Sequence, residues 1–442
     1  MIGIILLLLS VSLYTKRRYR IWSVFLYFGF LLGTLGGYNI LTDSVIGVKN
    51  VDLALFFMLY VIVYKWTIVK SFFIEKIGLF CIIFTLFIFV SFLFSVIYYD
   101  ISWSVALRAS RSYYLINSYF VFRTLTDKEF KQILYLLLKI TYITSIIYVL
   151  QILVGKPLMP YPWSYNYEGT FHLIRLYNFP TLLGFFLFAS FSDEKVANNP
   201  KYRLVFFLTL CATMGRTMLV CGILGILILT MLEKSSKSIV NILLVAILLI
   251  PTYQYFSDRF LKGNTIDDLN SVKTGEFEDW RAGTGGTMTF RIAWIYERWN
   301  YIEERPIWEK FFGLGLIGEG ERQIQKMYKF HIGLKNERGE TVQLATPDIM
   351  YGDVLTHLGI GGGLLYLWIV GLMIVFLWKK QNISTWSRVG FVSLFVCVLE
   401  SFSGSLLAYP KNLSIYLFII AWNISNESKK RQSNSHNSVL QL

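Results

Sequence analysis

The sequence predicts an all-α membrane protein that crosses the bilayer about 12 or 13 times, and three observations support this fold class. Of the 442 residues, 55% are hydrophobic and only 16% are charged, whereas a soluble globular protein has about 25% charged residues. Runs such as IGLFCIIFTLFIFVSFLFSVIYY (77–99) are long enough to cross a hydrocarbon core of about 30 Å. The apolar runs lack the alternating pattern that a transmembrane β-barrel requires.

Apolar patterning divides the chain into four parts. A helix bundle is predicted at 1–256, a large extracytoplasmic loop at 257–353, further membrane helices at 354–424 and a disordered polar tail at 425–442. The first apolar run is followed, not preceded, by KRRYR, so we predict a retained helix and no cleaved signal peptide. The predicted spans cover residues 2–14, 21–41, 51–66, 77–98, 104–122, 133–154, 175–191, 202–215, 217–232, 239–256, 354–378, 389–402 and 406–422.

The net charge of +14 is compatible with a nucleic-acid partner, but the positions of the basic residues indicate a different role. When the predicted helices are followed alternately, basic residues concentrate in one set of connections, such as 16–20 and 379–388. The positive-inside rule makes that set cytoplasmic and places the long loop outside. The excess charge therefore belongs to a membrane face, and we expect no nucleic-acid partner.

Arg216 lies in the middle of LTLCATMGRTMLVCGILGILILTML (208–232), a segment apolar enough for lipid. The stretch 202–232 has 31 residues, fewer than the roughly 40 that two full crossings need, so we predict a hairpin that turns below the outer surface. One interpretation is an arginine that reaches the outer head groups. The other is a phosphate-binding site within the membrane, because arginine stays charged and binds phosphate through two hydrogen bonds.

Three more arginines are candidate phosphate or sugar ligands at the outer ends of predicted helices. Arg108 and Arg111 are three residues apart in SVALRASRSYY (104–114), so a helix presents both on one face. Arg175 follows the loop YEGTFHLI, just outside the next predicted helix. A solvated helix end is the alternative explanation for Arg108 and Arg111.

The long loop contains a predicted helix, FRIAWIYERWNYIEE (290–304), with Arg291 and Arg298 on roughly one face. Both are candidate ligands, and salt bridges to Glu297 or Glu303 are the alternative. The next segment, FFGLGLIGEG, has G-x-G-x-x-G spacing but lacks the strand–turn–helix context of a dinucleotide site. We predict that its glycines form a turn that returns the chain toward the bilayer.

Asp348, Asp353 and His357 are candidate catalytic residues in TPDIMYGDVLTHLGIGGGLLY (346–366), where the chain re-enters the membrane. A helix cap is the alternative role for Asp348, and a general base at the mouth of a cavity is the catalytic one. Glu400, near the outer end of a later helix, is a second carboxylate candidate. The sequence has no HExxH or Walker motif and no clustered aspartate pair of a metal-binding type, so we expect neither a metal ion nor another cofactor.

Four segments together resemble the bacterial O-antigen ligase and polymerase superfamily. The segment ATMGRTMLV (212–220) is similar to the family's apolar helix opened by Ser-Arg. The long-loop segment 289–318 is similar to its R…W…P…fGvG pattern, and 346–366 to its HN…L…GiiG re-entry. RLYNFPTLLGFFL (175–187) is similar to the segment upstream of these. The resemblance covers about residues 175–366.

The resemblance implies a membrane-helical glycosyltransferase of the GT-C class that uses undecaprenyl-diphosphate-linked sugars on the outer face of the bacterial cytoplasmic membrane. Arg216 matches the family's membrane arginine and Arg291 its loop arginine, and both would hold the donor diphosphate. Asp348 stands where ligases keep the histidine of a His-Asn pair, Ile349 replaces the asparagine, and Gly215 stands where serine is frequent. The missing histidine favours a polymerase over a ligase.

The predicted function is therefore polymerisation of lipid-linked oligosaccharide repeat units of an O-antigen, capsule or exopolysaccharide, by one metal-independent displacement that inverts the anomeric carbon. Expected partners are undecaprenyl-diphosphate-linked glycans as donor and acceptor, membrane lipid, and chain-length regulator and flippase proteins. An O-antigen ligase that transfers glycan to lipid A core is the first alternative. A glycolipid flippase is the second, although a flippase needs no large structured outer loop.

Overall fold

The computed structural model describes residues 2–32, 48–158, 165–168, 173–176, 179–213, 215–233, 287–318, 321–333, 341, 343–344, 349–402, 404 and 406–439. These residues form helices and connections, with one two-stranded hairpin. The structure is that of an all-α polytopic membrane protein, as the sequence predicted.

The described residues of the N-terminal third include eight α-helices. The longest, α8, begins with a capping box in which Thr126 and Glu129 bond each other's main chain, and it ends at Gly155, whose φ is +71°. The helices are α1 (Ile2–Thr15), α2 (Arg20–Leu32), α3 (Asn50–Tyr64), α4 (Trp66–Phe72), α5 (Lys76–Ile97), α6 (Trp103–Ser110), α7 (Ser118–Arg123) and α8 (Asp127–Val154).

A small antiparallel hairpin separates this part from the next group of helices. Its strands pair Tyr165 with Leu176 and Glu168 with Leu173. The elements are β1 (Tyr165–Glu168), β2 (Leu173–Leu176), α9 (Leu183–Ser192), α10 (Glu194–Ala197), α11 (Pro200–Ala212) and α12 (Arg216–Glu233).

The described part of the long loop and the C-terminal region contain six helices. The chain is kinked inside the longest of them at Gly359, which has non-helical dihedral angles. The helices are α13 (Thr287–Glu303), α14 (Ile307–Phe312), α15 (Arg322–Met327), α16 (Met350–Lys380), α17 (Thr385–Glu400) and α18 (Ser414–Val439). Helix α18 continues through a segment in which the sequence predicted a disordered tail.

Three of the described helices, α5, α8 and α16, are long and apolar enough to cross a membrane. Helices α3 and α4 together form a fourth such stretch, bent by 99°. The apolar helices α1, α9 and α12 are shorter. The predicted span at 239–256 lies outside the described residues, and the total of 12 or 13 spans remains a prediction.

Two of the predicted spans differ from the structure in shape. The single helix expected over 104–122 is broken by a 3₁₀ segment, Tyr113–Asn117, because Asn117 and Ser118 donate to the Tyr114 and Leu115 carbonyls and compete with helical bonding.

The helix expected to begin at Arg175 instead begins at Leu183, and Arg175 lies in β2. Pro180 disfavours helical geometry in the residue before it, so the helix does not extend back to the hairpin.

Contacts between helix ends fall into two groups that match the predicted alternation of sides. One group joins predicted cytoplasmic connections: Arg20 with Glu129 (3.4 Å), Arg123 with Glu75 and Ser425, Trp422 with Asp127 (2.7 Å), and Arg388 with Glu233 (3.5 Å). The other joins predicted outer connections: Asp52 with Arg111, Tyr99 with Gly313, and Arg108 with Glu321. The alternation of sides is thus consistent with the packing.

The core links the two ends of the chain. Phe28 of α2 stacks on Phe122 of α7, with ring centroids 5.2 Å apart, and Phe122 meets Phe418 of α18 edge to face at 5.3 Å. All three rings are fully buried. This aromatic packing fixes α18 against the N-terminal helices and thereby holds the C-terminal spans that carry the candidate site.

Candidate functional site

The loop segment 313–317 forms a turn that is buried against α5 and α16, and we call it the docked turn. The side chains of Leu314, Leu316 and Ile317 are fully buried. Its main-chain groups bond in sequence: Gly313 O accepts from Tyr99 Oη (2.9 Å), Leu314 N donates to Thr356 O (2.7 Å), Leu314 O accepts from Tyr328 Oη, and Leu316 N donates to Ser95 Oγ (2.9 Å). These partners help an irregular segment to be buried, because they satisfy main-chain groups that would otherwise be unpaired. The turn that the sequence predicted is therefore present.

Two glycines form the closest contact between the docked turn and α16. Gly313 has φ +84° and Gly359 has φ +65°, a region that side-chain-bearing residues rarely adopt. A Cβ atom on Gly313 would lie 2.5 Å from the Gly359 nitrogen, and one on Gly359 would meet the Gly313 nitrogen. The kink in α16 and the close packing of the docked turn thus depend on the same two glycines.

Asp353 and His357 form a pair one turn apart on α16, beneath the docked turn. His357 Nδ1 lies 2.9 Å from Asp353 Oδ1, and His357 Nε2 lies 3.0 Å from the Ile317 carbonyl oxygen. A carbonyl oxygen only accepts, so Nε2 carries a proton and donates it to Ile317 O. Nδ1 lies at ion-pair distance from Asp353, but the contact does not meet hydrogen-bond geometry. His357 therefore connects α16 to the turn.

The surroundings of this pair are buried and contain polar atoms. Asp353 is 1% exposed, and neither of its carboxylate oxygens has a hydrogen-bond partner among the described residues. Tyr113, also 1% exposed, has an unpartnered hydroxyl and lies close enough to interact electrostatically with Asp353. Sequence analysis did not find Tyr113, because a tyrosine in an apolar stretch carries no sign of which element it will face.

Arg216 is the first residue of α12, and the described residues between α11 and α12, Thr213 and Gly215, are not helical. Helix α11 has 13 residues and α12 has 18, which correspond to about 20 Å and 27 Å at the usual rise, each less than a 30 Å core. The predicted break at MGRT is therefore confirmed. Its depth in the membrane and the partner of Arg216 remain predictions.

Arg291 lies on α13, the loop helix that packs on the start of α16. Trp294 and Ile295 of this helix contact Gly352, where a Cβ atom would lie 2.5 Å from the Trp294 ring. Arg291 is one helical turn before Ile295 on the same face. Its side chain is half-buried and has no ion-pair partner among the described residues. A cation without a counterion thus lies next to the start of α16.

Arg298, on the same helix, is buried and bonded within the protein, unlike Arg291. Its guanidinium is fully buried between the rings of Trp294 and Phe330, at 4.5 Å and 3.9 Å from the two centroids. It donates to the carbonyl oxygens of Ile332 (2.8 Å) and Gln343 (2.9 Å) and pairs with Glu297. Burial lowers the pKa of Arg298 to about 10. These contacts brace the loop, which corresponds to the salt-bridge alternative from the sequence.

The two arginines expected on one helix face have separate partners. Arg111 Nη1 bonds both carboxylate oxygens of Asp52, at 2.7 Å and 2.8 Å, and both side chains are largely buried. Arg108 is exposed and pairs with Glu321 of the long loop at 3.0 Å. Arg111 therefore ties α6 to α3, while Arg108 ties it to the loop, and the two do not converge on one point.

The remaining predicted residues are only partly placed. Arg175 lies in β2, paired with Asn166 through the main chain. Asp348 lies outside the described residues. Among the described residues, no group of three or more His, Cys, Asp or Glu side chains is arranged to hold a metal ion.

Residues 203–367, from α11 to α16, match the family model of the O-antigen ligases. The matched residues include Arg216, Arg291, the docked turn and the Asp353–His357 pair. The match is consistent with the O-antigen ligase and polymerase superfamily that the sequence resembles. A search of curated proteins found no match to the chain.

Proposed function

We propose that the protein polymerises oligosaccharide repeat units carried on undecaprenyl diphosphate, at the outer face of the bacterial cytoplasmic membrane. The observation that carries this proposal is the match of residues 203–367 to the O-antigen ligases. Within these residues, Arg216 begins a membrane helix and Arg291 has no counterion among the described residues. Two cations in one such region suit a lipid-linked diphosphate, an anion that is itself held at the membrane surface.

The chemistry follows from the donor. The hydroxyl oxygen of the acceptor sugar attacks the anomeric carbon of the donor glycan while the bond from that carbon to the diphosphate oxygen breaks. The electron pair leaves with undecaprenyl diphosphate, whose growing charge Arg216 and Arg291 stabilise in a medium of low dielectric constant. A carboxylate takes the hydroxyl proton. A single displacement inverts the configuration of the anomeric carbon.

The choice of a polymerase over a ligase rests on residue 348. The ligases of the superfamily keep the histidine of a His-Asn pair at this place, and the chain has Asp348 followed by Ile349. The match to the O-antigen ligases favours the second candidate, a ligase that transfers finished glycan to lipid A core. The two differ in the acceptor: a second lipid-linked repeat unit or a lipid A core.

The outward orientation of the site rests on the charge asymmetry of the sequence. Basic connections such as 16–20 and 379–388 gather on the side opposite the long loop. The packing joins the long loop to the predicted outer connections, through Arg108 with Glu321 and Tyr99 with Gly313. Both observations support a site that faces away from the cytoplasm.

Deletion of the gene, followed by analysis of the lipid-linked glycans, tests the proposal. Loss of a polymerase leaves single repeat units on the lipid carrier. Loss of a ligase leaves long polymer on the same carrier, so the second candidate would then be correct. Surface polymer of normal length and amount would reject both functions.

A further inference from the structure

A small intramembrane cavity lies between α9, α12, α17 and α18, apart from the Asp353–His357 pair. Its volume is about 60 Å³. The walls are mostly apolar, and the polar side chains include Glu400, Asn412 and the Ser393–Tyr416 pair, whose hydroxyls are 2.9 Å apart. A cavity measured in this way needs about 10–15 Å³ to hold one water molecule, so this one has room for a hydroxyl or hydroxymethyl group.

The packing of α12 against α17 determines how far Glu400 lies from Arg216 along the axis of α12. The two helices are antiparallel, with Glu233 beside Arg388 at one end (3.5 Å) and Gly225 beside Val396 nearer the other. The same register brings Cys221 level with Glu400, and these two groups interact electrostatically. Arg216 is five residues farther along α12, which is about 7.5 Å at the usual helical rise.

The cavity extends from the position of Glu400 along α12 toward the position of Arg216. Its lining includes Met218 and Gly222 from the first turns of α12, as well as Glu400 from the last turn of α17. The same wall contains Gly184 of α9, where a Cβ atom would meet nothing within 4 Å. The carboxylate therefore faces a space that extends to the beginning of the helix that Arg216 opens.

We propose that Glu400 is the proton acceptor of the glycosyl transfer, with the attacking hydroxyl of the acceptor sugar bound in this cavity. The hydroxyl proton passes to the Glu400 carboxylate as the oxygen attacks the anomeric carbon, and the diphosphate leaves on the Arg216 side. The inference rests on the function proposed above. Asp353 is less suited to this step, because its carboxylate is buried against His357, whose other nitrogen bonds Ile317.

The test uses the full-length protein in nanodiscs, with lipid-linked repeat units extracted from the deletion strain as donor and acceptor. Glu400→Gln should lower kcat by about 100- to 10,000-fold, the usual contribution of general base catalysis, with donor binding unchanged. Glu194→Gln, the same change at an exposed position on the opposite face, should keep wild-type activity.

Two further variants keep the test decisive if Glu400→Gln folds poorly. Glu400→Ala should regain activity with added formate or azide, which replaces the missing base, whereas a purely structural carboxylate would show no such rescue. Gly184→Leu, which adds a side chain at the cavity wall, should weaken acceptor binding and raise the KM for the acceptor.

Two results separate this inference from the proposed function. Wild-type transfer by Glu400→Gln, or no rescue of Glu400→Ala, would overturn the role of Glu400 and leave the polymerase proposal intact. Failure of the wild-type protein to extend any lipid-linked glycan would overturn the polymerase proposal itself.

Discussion

Replacing Gly313 with alanine should strongly destabilise the protein. The new Cβ would lie 2.5 Å from the Gly359 nitrogen and 2.7 Å from the Thr356 carbonyl oxygen, both main-chain atoms. Gly313 also has φ 84° and ψ −173°, a region that is essentially restricted to glycine and costs other residues about 1–3 kcal/mol. Overpacking adds about 1–3 kcal/mol, so the free energy of unfolding should fall by about 2–6 kcal/mol.

Reversible unfolding in mixed micelles, titrated with a denaturing detergent, measures this change. Gly371→Ala is the matched control, because it lies in the same long helix, α16, and a Cβ atom there meets nothing within 4 Å. That variant should be neutral or more stable, since alanine favours a helix over glycine by about 0.5–1 kcal/mol. Equal stability of Gly313→Ala and Gly371→Ala would refute the docked turn.

Three other predictions concern charged residues. His357→Ala leaves a buried carboxylate unpaired and should lower the free energy of unfolding by about 3–5 kcal/mol. A double-mutant cycle with Asp353→Asn should show coupling, and additive effects would contradict the pair. Arg298→Lys should lower the free energy of unfolding by about 2–3 kcal/mol, because two buried carbonyl groups lose a charged hydrogen-bond donor. The affinity for the lipid-linked glycan donor, measured in nanodiscs, should stay unchanged. Arg291→Ala should change stability by less than about 0.5 kcal/mol and lower kcat by about 100-fold; full activity would remove Arg291 from the site.

Much of the fold could be predicted from the sequence, because membrane helices are defined by long apolar runs. The span predicted at 77–98 is present as Lys76–Ile97, and the break before Arg216 lies where the short hairpin requires it. Errors arose where local chemistry overrides hydropathy. Asn117 and Ser118 break a segment that hydropathy predicts as one helix, and Pro180 limits another.

The candidate site was less predictable, because its residues come from distant parts of the chain. Helical spacing alone suggested that Arg291 and Arg298 act together, but only the structure distinguishes a half-buried cation from one enclosed by Trp294 and Phe330. Likewise, the i, i+4 spacing of Asp353 and His357 permits a pair but does not reveal that a main-chain carbonyl occupies the second ring nitrogen. Tertiary contacts decide which polar residues stabilise the fold and which of them face a ligand.

The most direct test of the central claim is extension of lipid-linked repeat units by the purified protein in nanodiscs, followed by mass spectrometry of the products. The account predicts a ladder of glycans on undecaprenyl diphosphate, each longer by one repeat unit, with no lipid A core present. Arg216→Ala should abolish the ladder. Unchanged single units, with transfer seen only when lipid A core is added, would contradict the polymerase proposal.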